Sequence, residues 1–332
     1  MMKKVQHSLF IMFAIILMTI QPTNAAESVI TRENAPQLVQ LGVIEDGSKF
    51  GAIAMSPIDN TFLVATETEL WRYSLPDLTA TRIMTFPLEI APLSDMAYHP
   101  NGQIISLLDG RGVLYDVQLS NGAILNINSD YEDNARYLAY HPQQDIRVLV
   151  GDGDMIPILD EQNVRVTDFI VKSDVLGAVT YSPDGRWIAT GSADDLIVVY
   201  DTHSWERHYV FTRGARGPAR DVTALTFSPD SGRIVSGGFQ VLTVWDNTTF
   251  ERLHTVNFSN WVTGIIYSHD GDMLIVADAD GQVWFFDSTT YAEIAMFEAH
   301  NDWIFELAIS PDGRYIVSMS YDNVIQVWGV SG

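Results

Sequence analysis

The sequence predicts an all-β protein in which small antiparallel sheets stack face to face and close into a ring. Three observations lead there. A short tract recurs seven times: an apolar strand, a Pro-Asp-Gly-like turn, a second apolar strand, a polar turn and a third strand. The spacing is regular, because the turn positions Pro57, Pro100, Pro142, Pro183, Pro229, His269 and Pro311 are 43, 42, 41, 46, 40 and 42 residues apart. Finally, such short strands cannot bury both faces within one unit. Stacking the units buries the faces, and closing the stack removes its open ends.

In chain order, the first element is a leader. Lys3 and Lys4 give a positive start, Leu9 to Ile20 is apolar but short for a bilayer span, and Thr23-Asn24-Ala25 supplies small residues. Residues 1–25 therefore read as a secretory signal peptide cut after Ala25 or Ala26, with an uncleaved membrane anchor as the alternative, and this predicts a periplasmic or extracellular mature chain with no membrane span. No cysteine follows the apolar run, which excludes a lipid anchor on that side chain. Residues 26–37 form an extension, and Leu38 to Ile44 is an apolar strand with no repeat of its own. The repeats then run to residue 330. Their clearest turns are Tyr98 to Gly102, Tyr181 to Gly185, Tyr267 to Gly271 and Ile309 to Gly313. Pro and Gly stand where a fixed or positive φ is useful. Third strands end at Tyr73, Tyr115, Leu159, Tyr200, Trp245, Phe286 and Trp328.

The last copy carries His300, Trp303-Ile304, Ile309-Ser310-Pro311-Asp312-Gly313, Ser318, Asp322 and Trp328. With the period, these residues resemble the WD40 repeat family over about residues 38 to 330. The resemblance implies a seven-bladed β-propeller of four-stranded antiparallel blades. It also implies that Leu38 to Ile44 completes the last blade, which has only four residues after Trp328. In that family a His, Ser/Thr, Asp and Trp form a buried tetrad, here His300, Ser318, Asp322 and Trp328. Copy four keeps Thr190 and Asp194 and copy five keeps Ser236 and Trp245, while copies one to three diverge.

Composition narrows the function. A formal net charge of −23 repels nucleic acid and anionic lipid. Zero cysteines removes thiol chemistry and Cys-based zinc sites. No G-x-S-x-G elbow, H-E-x-x-H or P-loop pattern occurs. His99, His141 and His269 fall in turns and read as polar turn residues. The acidic pairs Asp152/Asp154 and Asp278/Asp280 lack the further ligands of an EF-hand and read as solvated turns, with calcium as the alternative. No cofactor or metal is expected.

Binding is the leading expectation. In WD40 proteins the residues eight and six positions before the turn proline commonly line the face where blade-joining loops converge. The first set here is Lys49, Pro92, Asn134, Val175, Asp221, Trp261 and Trp303; the second is Gly51, Ser94, Arg136, Gly177, Thr223, Thr263 and Phe305. Trp261, Trp303, Phe305 and Arg136 are the residue types of interface hot spots, although the tryptophans also fit ordinary packing between blades. Arg213, Arg216 and Arg220 lie in an acid-free, Gly/Pro-rich insertion, read either as a solvated loop or as a contact for a carboxylate- or phosphate-bearing partner. The expectation is an exported, non-catalytic scaffold for a protein or peptide partner. The alternatives are a hydrolase- or lactonase-type propeller enzyme with a channel site, or a cation-binding surface protein.

Overall fold

The computed structural model describes residues 28–331, apart from 46, 88–89, 91, 132–134, 153–154, 171–174 and 213–220, and apart from the side chains of 155, 169 and 170. The proposed signal peptide, Arg213, Arg216, Arg220, Asn134 and Asp154 lie outside the described residues.

Each repeat turn is built by its own residues. In the copies at Ser182, Ser228, Ser268 and Ser310, the serine Oγ accepts the backbone N–H five residues on, at 2.9 to 3.0 Å. The same hydroxyl donates to the Asp two residues on, at 2.5 to 2.6 Å. Gly185, Gly271 and Gly313 then take φ of +73°, +77° and +72°, where a Cβ would be strained. The turn ends one strand and starts the next in register.

The strands form antiparallel, consecutively paired sheets: four-stranded sheets over residues 50–85, 93–128, 135–170 and 176–212, and a closing sheet. The closing sheet pairs Leu38–Ile44 with Ile325–Val330, from Leu38 opposite Val330 to Ile44 opposite Ile325. The N-terminal strand thus covers a sheet edge that would otherwise be bare. The extension before it straps the joint. Ile30 and Ala35 are fully buried, the Ile30 N–H donates to the Gly313 carbonyl at 2.9 Å, and Arg32 pairs with Asp272 and Asp287.

The sixth sheet differs from expectation. It spans residues 222–298 with six strands, so among the described residues the sheets number six where seven blades were expected. The cause is local. Arg233–Asp246 and Arg252–Tyr267 run as strands of 14 and 16 residues through positions where other copies turn. Gln240, at φ +59°, only shifts the register there.

The core lies between neighbouring sheets. Ile105, Leu107 and Val117 pack on Leu63, Ala65 and Leu70, and Phe62 and Val64 pack on Val317 and Val327. Between the second and third sheets the packing is polar. Fully enclosed Arg147 donates to Asp116, Ser106 and Tyr140, and its pair with Asp116 is 2.6 Å long. Burial alone would raise the Asp116 carboxyl, but the Arg147 guanidinium holds it below its ordinary range.

Candidate partner-binding face

The first strand of each repeat lies innermost, and these strands touch one another around the whole ring. Every one carries a β-bulge at the same place. Pairing skips Gly51, Ser94, Arg136, Gly177, Thr223, Thr263 and Phe305. These are the residues six positions before the turn, so one periodic sequence position is one periodic backbone irregularity. A bulge bends its strand and re-aims the neighbouring side chains. Gly177 is required there, because a Cβ would come within 2.8 Å of the Val222 carbonyl oxygen on the next sheet.

The residue after each bulge forms a tier around the channel: Ala52, Asp95, Tyr137, Ala178, Ala224, Gly264 and Glu306. Four are small. The three large polar ones lie on one arc of the ring: Asp95 and Tyr137 on neighbouring sheets, and Glu306 on the closing sheet, with the sheet of Ala52 between Glu306 and Asp95. Above that arc opens a cavity of about 480 Å³, lined by Phe50, Tyr137, Phe305 and Tyr321 with Lys49, Glu67, Ser94 and Glu306. Phe305 and Tyr321 stack at 4.6 Å between centroids.

Electrostatics mark the same arc. The Asp95 and Glu306 side chains are half-buried, and the channel leaves part of each accessible to solvent. Poor hydration dominates. Burial pushes Glu306 up to about 8, with help from the Asp95 charge, and pushes Asp95 up to about 7. Asp95 accepts the N–H groups of Met96 and Leu138, both at 2.8 Å, which ties the second sheet to the third. Glu306 has no hydrogen-bond or ion-pair partner among the described residues. Burial also raises the Tyr137 phenol.

The residues singled out from sequence separate in space. Lys49 and Phe305 line the cavity, and Trp303 stands at the surface, 42% exposed. Arg136 is exposed and grips Asp152 at 2.6 Å. Asp221 is half-buried. Trp261 is also half-buried and packs on Phe239 at 5.2 Å, which fits core packing better than a free binding surface. His300, Ser318, Asp322 and Trp328 meet in one chain away from the cavity. Trp328 Nε1 donates to Ser318 Oγ at 3.2 Å, Ser318 Oγ meets His300 Nε2 at 2.8 Å, and His300 Nδ1 meets Asp322 at 3.1 Å. Burial lowers the His300 pKa despite Asp322, so the neutral ring accepts from Ser318 and donates to Asp322. In copy five only the Ser236–Trp245 contact recurs, at 3.2 Å, and the buried Thr190 hydroxyl of copy four has no partner.

Two of the three turn histidines are tied into structure, and His269 is exposed. His141 Nε2 meets the Gly185 carbonyl at 2.9 Å, and His99 Nε2 meets Asp145 at 3.1 Å. Asp278 caps two N–H groups and accepts from Trp284 Nε1 at 2.7 Å. Among the described residues, no three His, Asp or Glu side chains converge as a metal site, and no helix is long and apolar enough to cross a membrane.

Sequence reading missed Glu306, Asp95, Tyr137 and Tyr321. A signal existed for the first three. The column five positions before each turn residue is small at Ala52, Ala178, Ala224 and Gly264 and acidic or aromatic at Asp95, Tyr137 and Glu306. Tyr321 comes from a different loop and has no such signature.

Comparison with known proteins bears on the whole ring. The family model for the WD domain, G-beta repeat, matches residues 168–201, 209–249, 250–287 and 292–329. The chain is 27% identical to Protein FIZZY-RELATED 1 of Arabidopsis thaliana over 48% of its own length and 34% of that protein. It is 22% identical to a guanine nucleotide-binding protein subunit beta of the same plant, over 77% of this chain and 74% of that one. The chain spans about a third of the length of the Fizzy-related relatives it matches. A chain from the crystal structure of the mitotic checkpoint complex superposes with a TM-score of 0.80 at 17% identity, covering 89% of this chain and 95% of that one. The fold is a β-propeller of four-stranded antiparallel blades, and four of its repeats match the WD domain, G-beta repeat.

Proposed function

We propose that the chain is an exported, non-catalytic interaction scaffold that binds a protein or peptide partner at the channel mouth. The half-open cavity with aromatic walls carries this reading. Aromatic anchors in a recess concentrate binding energy, and a ring of sheets holds them at fixed positions. We also infer seven repeating units, since seven innermost strands bear the same bulge; the six-stranded sheet then supplies two of them. Arg213, Arg216 and Arg220 would add a contact for an acidic or phosphorylated part of the partner. Export rests on the basic, apolar and small-residue order of residues 3–25.

The test is affinity capture from host extract with the mature chain. Phe305→Ala and Trp303→Ala, folded by melting curve, should lose the partner; Arg136→Ala should weaken it. Retention by all three removes the mouth as the interface. Cell fractionation tests export, and a cytoplasmic chain of full length overturns it.

One observation favours catalysis instead. Asp95 and Glu306 titrate near neutrality, where carboxyls serve proton transfer. Turnover of ester or lactone substrates, abolished by Asp95→Asn, would establish that reading over the scaffold.

A further inference from the structure

The chemistry of the cavity specifies its guest, given the interaction reading above. Its walls are the rings of Phe305, Tyr321 and Tyr137. Its charged groups are two carboxyls, Glu306 and Glu67, and one ammonium, Lys49, and Asp95 is near enough to oppose ionisation of Glu306. Lys49 is the basic residue on the lining, and it lies at the rim, 3.8 Å from Glu67. An anionic guest would add negative charge beside Glu306 and Asp95, whose ionisation is already opposed. An apolar guest would strip water from Glu306 and leave it without a partner, which is costly. A cation resolves both difficulties, since it pairs with the carboxylate and rests against the electron-rich ring faces.

We propose that the cavity receives one cationic side chain, arginine or lysine, from the partner protein, with Glu306 as its counter-ion and the Phe305, Tyr321 and Tyr137 rings as its walls.

The raised pKa of Glu306 gives this docking a signature. A bound cation favours ionised Glu306, so complex formation releases a proton near neutral pH and tightens as pH rises from about 6 to 9. The charged and titratable groups facing Glu306 are Asp95, Tyr137, Tyr321, Lys49 and Glu67, with Arg136 held by Asp152. Among these, Asp95 also ionises in this range and adds to the same trend.

The experiment is selection of a random peptide library on phage against the whole purified chain, followed by calorimetric titration of the recovered peptides in two buffers of different ionisation enthalpy. The expected peptides share an Arg or Lys whose replacement by norleucine weakens binding by about tenfold or more. Glu306→Gln should weaken the same peptides comparably and abolish most of the proton release. Loss of fold is separable, because the variant's melting curve is recorded alongside. Peptides that need Phe305 but tolerate both norleucine and Glu306→Gln would overturn the cation and leave the interaction reading standing. Peptides indifferent to Phe305→Ala, or no peptides at all, would overturn both.

Discussion

Glu306 offers the sharpest test of the channel's electrostatics. The perturbation is Glu306→Gln, which keeps the shape and removes the charge. In the folded chain the carboxyl titrates at about 8 rather than at its ordinary 4.5, because burial and then Asp95 oppose ionisation. The folded state therefore keeps a proton that the unfolded chain has already released. This contribution to stability is complete below pH 4.5 and is lost as pH rises through 8. At about 1.36 kcal/mol per pH unit, the ceiling is about 5 kcal/mol. Channel water and the interaction shared with Asp95 reduce it to roughly 2–3 kcal/mol. At about 2 °C per kcal/mol for a chain of this size, the Tm difference is roughly 5 °C. The assay is thermal unfolding of wild type and Glu306→Gln between pH 5 and pH 9. The two should melt together at pH 5, and the variant should melt about 5 °C higher at pH 9. His300, whose pKa is lowered, destabilises both chains alike as pH falls below 6.5 and cancels in the difference. Parallel curves across the range would refute the claim that Glu306 is held neutral by its surroundings.

Other outcomes follow from the geometry. Deleting residues 28–44 bares the Ile325–Val330 edge and removes buried Ile30 and Ala35, so calorimetry should show a Tm lower by about 10 °C or more; an unchanged melt would refute closure by this strand. Arg147→Met leaves Asp116 buried beside no cation and should cost about 3–5 kcal/mol in urea unfolding, with most of the loss recovered by adding Asp116→Leu. Gly177→Ala forces a Cβ against the Val222 carbonyl and should cost about 1–3 kcal/mol, whereas Ala at the roomier Gly51 should cost less. Ser318→Ala breaks the hydrogen-bond chain from Trp328 to His300 and should cost about 1–3 kcal/mol; a double-mutant cycle with His300→Ala should show strong non-additivity.

How far the sequence could be read depends on where each interaction is made. The turns were legible because their chemistry is local: Ser310 bonds Asp312 and the Tyr315 N–H, all within six residues. The strap at Leu38–Ile44 was legible because an apolar strand with no repeat must find an edge. The fused sheet was not, since a strand of 14 residues differs from a hairpin only in how Gly238 to Gln240 is resolved, and neither composition nor spacing decides that. The tryptophans show the same divide. Trp261 and Trp303 hold the same repeat position, yet Phe239 covers one and leaves no equivalent over the other.

The cavity lies at the far end of this scale. Its floor is one residue from a periodic bulge, so its members could be found by column. Their meaning arises only from what is absent elsewhere in the column: Ala178, Ala224 and Gly264 keep the opposite side of the tier small, and this leaves acid and ring on one side, with Ala52 between Glu306 and Asp95. A ring of near-identical units has no preferred side until side chains break its symmetry. In the described tier they do so once, at Glu306, Asp95 and Tyr137, and Phe305 and Tyr321 wall the same arc. Packing alone would favour an apolar or small residue at Glu306, because a poorly hydrated carboxyl without a partner lowers stability at neutral pH. Its presence beside stacked rings is therefore better explained by a bound state in which the charge is met. Stability gained by Glu306→Gln together with binding lost would be the joint result that this argument requires.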